Sequence, residues 1–143
     1  MLDKSQWEHL IPHRGDMCLL DSVAAWNEQR IHARSAGHAR ASNPLRLDGR
    51  LRALHACEYG AQAMAVHGGL LAQAAGGTAA PGFLVSLRAV ELLRDYLDDL
   101  PGSIDVYAEK LLASAQSWQY AFRIEHAGEL IAQGRAAVMA QPG

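Results

Sequence analysis

The sequence predicts an α+β fold in which one antiparallel sheet covers a single long helix. Three observations predict it. From Ala53 to Leu87 there is no Lys, Arg or Asp and only one Glu, Glu58, so a helix there is apolar or small on every side and should be buried on most faces. Trp118 to His126 alternates, with Trp118, Tyr120, Phe122 and Ile124 on one face and Gln119, Arg123 and Glu125 on the other, the period of a strand. Two strand-like segments precede the apolar helix and four follow it, so one sheet must bury it.

The elements follow in order. Asp3 to Leu10 (DKSQWEHL) reads as a short helix capped by Asp3 or Ser5. Pro12 ends it, and HRGD reads as a turn. MCLLDSVAAWN is predicted as a strand, with RIHARSAGHAR as its antiparallel neighbour. Asn43 to Arg52 (NPLRLDGRLR) is a loop, marked by Pro44 and the Asp48-Gly49 pair. The central helix is expected from about Leu51 to Gln73. Gly60, Gly68 and Gly69 weaken it by roughly 1 kcal/mol each relative to Ala, which makes sense where another backbone passes close. AAGGTAAPG is a break. Strands are then expected over Phe83 to Leu93, Ser103 to Leu112, Trp118 to His126 and Glu129 to Ala140, with turns at Pro101-Gly102 and Ala127-Gly128.

The 143 residues suit a single domain over 1–143. Half of them are apolar and 20% charged, with a formal net charge of −2, which provides no strong field for nucleic acid or a membrane. Met1 to Asp16 is polar and carries charges of both signs, unlike a secretory leader. No apolar run is continuous enough to span a bilayer. Cys18 and Cys57 are the only cysteines. They fit small buried hydrophobes in a reducing, cytoplasmic location better than a disulfide framework. No metal site is expected, because His9, His32, His38, His67 and His126 have no ligand spacing with a Cys or carboxylate cluster. One sheet leaves part of such a helix open, so a second subunit is expected to complete the burial.

Several stretches together resemble the beta-hydroxyacyl-acyl-carrier-protein dehydratase family, over nearly the full length. LIPHRGDMCLLDSV is similar to that family's L-P-H-R-x-P-x-L-L-x-D-x-V signature, through Pro12, His13, Arg14, Leu19, Leu20, Asp21 and Val23. Glu58, Gly60, Ala61 and Gln62 fall where the family has E-A-M-A-Q at the start of its helix. PGFLVSLRAVEL, DDLPGSIDVYAE and GELIAQGRAAVM resemble its later strands. The resemblance implies the hotdog fold, a curved antiparallel sheet wrapped around one long central helix. The family's catalytic histidine lies in a G-H-F-P-G loop before that helix. Here the loop is NPLRLDGRLRAL, shorter and without histidine, and Arg52-Ala53 stands where Pro-Gly usually introduces the helix. The spacing of Asp48, Gly49 and Leu51 is similar to dehydratase-like proteins of aryl polyene clusters.

What the resemblance implies about function is dehydration of 3-hydroxyacyl thioesters, carried by acyl carrier protein or coenzyme A, with no cofactor. That reaction needs a base for the proton alpha to the carbonyl, an acid for the leaving hydroxyl, and donors for the enolate-like oxygen. Glu58 is the expected acid or acid/base. A buried carboxylate with no cationic neighbour is expensive unless it is held neutral, so it marks a candidate site. His55, Glu58 and Gln62, three and four apart, share one helical stripe. His55 could replace the missing loop histidine, and His13 is a further candidate base. Gln62, Arg52, Ala53 and Leu54 are the expected substrate-binding residues, with backbone N–H groups from about Ala53 to Ala56 as oxyanion donors. Arg46, Arg50 and Arg52 could contact a pantetheine phosphate or an acidic carrier. Two other readings compete. The chain could be a non-catalytic partner in a dehydratase heterodimer, or a thioesterase in which Glu58 activates water; G-x-S-x-G is absent. The partner is expected to be a second copy or another hotdog subunit.

Overall fold

The computed structural model of the chain describes residues 1–77 and 82–140. Seven strands form one antiparallel sheet: β1 (Leu2–Asp3), β2 (Ser22–Trp26), β3 (Arg30–Ser35), β4 (Gly82–Leu92), β5 (Ile104–Ala113), β6 (Ser117–His126) and β7 (Glu129–Ala140). Their spatial order is β1-β2-β3-β5-β6-β7-β4, and one helix, α1 (Ala56–Ala74), packs against the sheet. This is the α+β hotdog arrangement that the sequence predicts.

Alternation decides which face of each strand meets α1. On β6, Tyr120, Phe122 and Ile124 are buried while Arg123 faces out. On β3 and β5, Ile31, Ala33, Ile104, Val106 and Ala108 are buried, and His32, Arg34, Asp105 and Tyr107 lie on the other side. Phe122 is the closest fit. A Cβ at Gly60 would lie 2.7 Å from its ring, and one at Gly134 would lie 2.8 Å from its Cζ. Bare backbone on α1 and on β7 therefore makes the slot that the ring fills. Gly69 is similarly tight, 2.7 Å from Leu10 Cβ, whereas Gly68 faces open space. The close approach expected at these glycines is found at two of the three, and the nearest atoms belong to side chains.

Several elements differ from expectation. The strand expected over RIHARSAGHAR stops at Ser35, because Gly37–Ala39 form a 3-10 turn. The predicted first helix is two 3-10 turns, Lys4–Gln6 and Glu8–Leu10. Trp7 between them leaves helical geometry at φ −139° and is fully buried. So short a segment has little helical stability of its own, so burial of the indole prevails. β1 goes unpredicted, since two residues carry no periodicity. The strand expected from Met17 begins only at Ser22, because Leu19 N–H donates to Gln62 Oε1 (2.8 Å) and Leu19 O accepts from Ser35 Oγ (2.6 Å). The helix begins at Ala56 rather than Leu51. Leu51 O accepts from Leu97 N–H (2.8 Å) and Ala53 N–H donates to Asp95 O (2.9 Å), so these groups are spent outside any helix. The break expected at AAGGTAAPG lies partly outside the described residues.

Two fully buried histidines tie the core together. His67 Nε2–H donates to Asn27 O (2.7 Å), and its Nδ1 accepts from Tyr120 Oη (2.8 Å). His38 Nε2–H donates to Leu100 O (2.9 Å). Burial lowers both from the ordinary histidine value of 6.5. The unfolded chain therefore takes up these protons first as pH falls, and their contribution is complete above about 6.5 and lost below it. Thermal melts should show Tm falling from pH 7.5 to pH 5.5, at most about 1.4 kcal/mol per histidine per pH unit. A flat Tm over that window would contradict the neutral, buried assignment.

Candidate active site at the amino end of the central helix

The loop before α1 is held by the segment that follows β4. Asp98 accepts from Leu51 N–H (2.9 Å) and from Arg50 Nε (2.9 Å). Burial raises its carboxyl, but these donors more than offset that and hold it below the ordinary 3.8. The Arg50 guanidinium also lies 3.9 Å from the centre of the Tyr96 ring. At the other end of the loop, Asn43 Nδ2 donates to Gly37 O (3.0 Å) and to the buried Tyr59 hydroxyl (3.1 Å). Two polar clamps thus fix where the helix starts. The sequence assigns no role to Asp95, Tyr96, Asp98 or Asn43, which lie in turn-rich stretches without periodicity; the DYLDD run is the signal for the first three, and Pro44 marks the loop that Asn43 opens.

Arg52, Ala53, Leu54, His55 and Glu58 come together at the amino end of α1. Ala53–His55 is a 3-10 turn leading into the helix. Three of the four expected oxyanion donors are already used: Ala53 N–H by Asp95 O, His55 N–H by Arg52 O (3.1 Å) and Ala56 N–H by Ala53 O. Leu54 N–H is left without an acceptor among the described residues, and its side chain is exposed. An unpaired N–H at a helix amino end suits a developing negative charge.

Glu58 departs from expectation. Within one chain it is exposed, not buried. The sheet and the amino-terminal segment together bury the side of α1 that carries Tyr59, Gln62, Ala63, Val66 and Leu70. They leave Ala61, Ala65 and Gly68 partly open on the side of Glu58. The predicted stripe therefore divides: His55 is half-buried, Glu58 is open, and Gln62 is buried. Gln62 is not free to bind a substrate. Its Oε1 accepts from Leu19 N–H and its Nε2 donates to Met17 O (2.6 Å), which straps the amino-terminal segment onto the helix.

The other candidates are dispersed. His13 lies between Leu10, which packs on Gly69, and Met17, which bonds Gln62. No hydrogen bond joins it to His55 or Glu58 among the described residues, and its Nδ1 is buried without a partner. Of the three arginines, Arg46 donates to Gly49 O and Ala39 O, and Arg50 is taken by Asp98 and Tyr96. Only Arg52, exposed and 6.0 Å from the Tyr96 ring centre, keeps its guanidinium available. Cys18 and Cys57 are buried free thiols, both pushed up by burial.

A cavity of about 680 Å³ lies away from Glu58, on the sheet face opposite α1, lined by His32, Tyr107, Arg123 and Arg135. The amino end of α1 is thus one open wall of a site.

The comparisons agree with the fold. The chain is similar in structure to the dehydratase heterocomplex ApeI:P from Xenorhabdus doucetiae, with TM-score 0.83 and 21% identity, covering 94% of this chain and 90% of that one. It is less similar to AziG of S. sahachiroi (TM-score 0.61, 18% identity, 94% and 99% covered). A mutant thioesterase enzyme of Staphylococcus aureus is comparably distant (TM-score 0.61, 14% identity, 85% and 93% covered). At these identities the likenesses show the shared fold. No curated protein matches the sequence. No helix of the described residues is long and apolar enough to cross a membrane. The model of the ApeP-like family, described as ApeP dehydratase, matches residues 5–142, and by that match the protein belongs to the ApeP-like dehydratase family.

Proposed function

We propose that the chain is the Glu58-bearing subunit of a two-subunit dehydratase that acts on 3-hydroxyacyl groups held as acyl-carrier-protein thioesters in polyene synthesis. The observation that carries this reading is the amino end of α1. Glu58 and the unpaired Leu54 N–H lie on a helix face that one sheet leaves open, and the loop before it holds no histidine. In this reading Leu54 N–H donates to the thioester oxygen as charge develops on it. Glu58 protonates the leaving hydroxyl as the C3–O bond breaks, and a base takes the C2 proton. The products are the enoyl thioester and water. The base comes from the partner, which also closes the seam. That the neighbouring dehydratase is a heterocomplex supports this division. Arg52 is the free cation at the entrance for a pantetheine phosphate. The two free thiols support a cytoplasmic setting.

The test is turnover of a 3-hydroxyacyl thioester by the chain alone and after co-purification with a histidine-bearing hotdog subunit. A positioned base is worth about 100- to 10,000-fold, so activity should be weak or absent alone and appear in the complex. Robust turnover by the isolated chain, abolished by His55→Ala or His13→Ala, would place the base in this subunit and overturn the division.

A further inference from the structure

We infer that Arg88 and Arg135 select the partner: they disfavour pairing of this chain with a second copy and favour an edge strand that presents carboxylates opposite them. The inference rests on the two-subunit reading above and takes the unpaired edge strand β4 as part of the seam between subunits. β4 is the edge of the sheet and pairs only with β7. It is exposed along almost all of its length, with Phe83, Leu84, Val85, Leu87 and Leu92 open to solvent. An unpaired, apolar edge of this length is a template for another strand.

Arg88 on β4 stands directly opposite Arg135 on β7, on the sheet face away from α1. Like charges in that position are destabilising. No ion pair relieves them among the described residues, because the carboxylates on that face are already committed. Asp105 is taken by His32 and Arg34, Glu109 by Arg30 and Glu125 by Arg123. Glu91 accepts from Gln133 (3.2 Å). Two guanidinium groups, with the amide-bonded Glu91 as the one carboxylate beside them that no cation holds, therefore remain at the edge where a second strand would add.

Self-pairing makes this worse. Ser86–Arg88 is the regular stretch of β4, between irregularities at Leu84/Ser86 and Arg88/Glu91. Pairing two β4 strands antiparallel over their full length centres them on Leu87, so each Arg88 faces the other copy's Ser86. The two Arg88 side chains become diagonal neighbours, about 7–8 Å apart, with an Arg135 one strand, about 4.8 Å, behind each. Glu91 of each copy lies opposite its own Gln133 and diagonal to its own Arg135. Two copies would therefore gather four guanidinium groups against two carboxylates on one face, a net excess of positive charge. A partner strand carrying Asp or Glu at that position would reverse the sign of the interaction.

Sedimentation velocity on the chain itself tests this, with circular dichroism checking the fold of each variant. Self-association of the wild type should strengthen between about 50 mM and 500 mM salt as the repulsion is screened. R88S/R135S should self-associate more tightly than the wild type. An equimolar mixture of wild type and R88E/R135E should associate at least about tenfold more tightly than either alone. A mixture no tighter than its components, or a wild-type dimer as tight as the mixture, overturns the inference. Failure of the two-subunit reading shows separately, as thioester turnover by the isolated chain.

Discussion

Glu58→Gln is expected to lower turnover of a 3-hydroxyacyl thioester by the assembled complex about 100- to 10,000-fold, the range of a positioned acid or base. The thermal midpoint of the isolated chain should barely move. Both halves follow from the position of the side chain. Glu58 is on the open side of α1, exposed, with no ion pair or side-chain hydrogen bond among the described residues, so no fold interaction is lost with the carboxylate. The amide keeps its size but has no proton to give to a leaving hydroxyl. Turnover of the complex measured beside the melting curve decides it. Unchanged turnover would remove Glu58 from the chemistry. A large loss of midpoint would make it a structural residue. Gln62→Leu should behave in the opposite way, costing stability first, because Leu19 N–H and Met17 O would each lose a buried partner.

Much of this architecture is legible in the sequence because two periods carry it. A helix with one charged residue in its 19 positions must be covered on most sides, and strict alternation from Trp118 onwards can only be a half-buried strand. β7 runs from Glu129 to Ala140 as expected, and β6 begins one residue before Trp118. The elements that escape are decided by tertiary partners. Leu51 and Ala53 read as helix but bond Leu97 and Asp95, more than forty residues away, and no local window contains that competition. Trp7 reads as helix but turns inward.

The candidate site is legible in its location and not in its roles. Glu58 draws attention as the lone carboxylate of an apolar stretch, and the amino end of α1 is where the structure groups it with His55 and Leu54. Its own chain does not bury it, because composition says that a helix is apolar all round without saying which chain covers each side. Gln62 shares its stripe at helical spacing but faces inward, where its amide straps the amino-terminal segment. Spacing along a helix places side chains on a common face, and the packing of a distant segment then decides whether a polar member is a reactant or a clamp.

The glycines of α1 separate intrinsic propensity from packing. By propensity alone, Ala at any of the three should stabilise the helix by roughly 1 kcal/mol. Gly68→Ala should do so, since nothing lies within 4 Å of the added Cβ. Gly60→Val should instead cost about 3 kcal/mol, at the upper end of the usual overpacking range. Its Cβ alone would lie 2.7 Å from the Phe122 ring, and that ring cannot retreat because the Gly134 Cα side holds its far edge. Urea unfolding of the isolated chain measures both. Phe122→Leu placed on Gly60→Val should return part of the loss, giving a coupling energy that independent sites would not show. If Gly60→Val and Gly68→Ala shift the midpoint alike, the ring does not occupy that slot, and the contact between α1 and β6 must be looser than the structure shows.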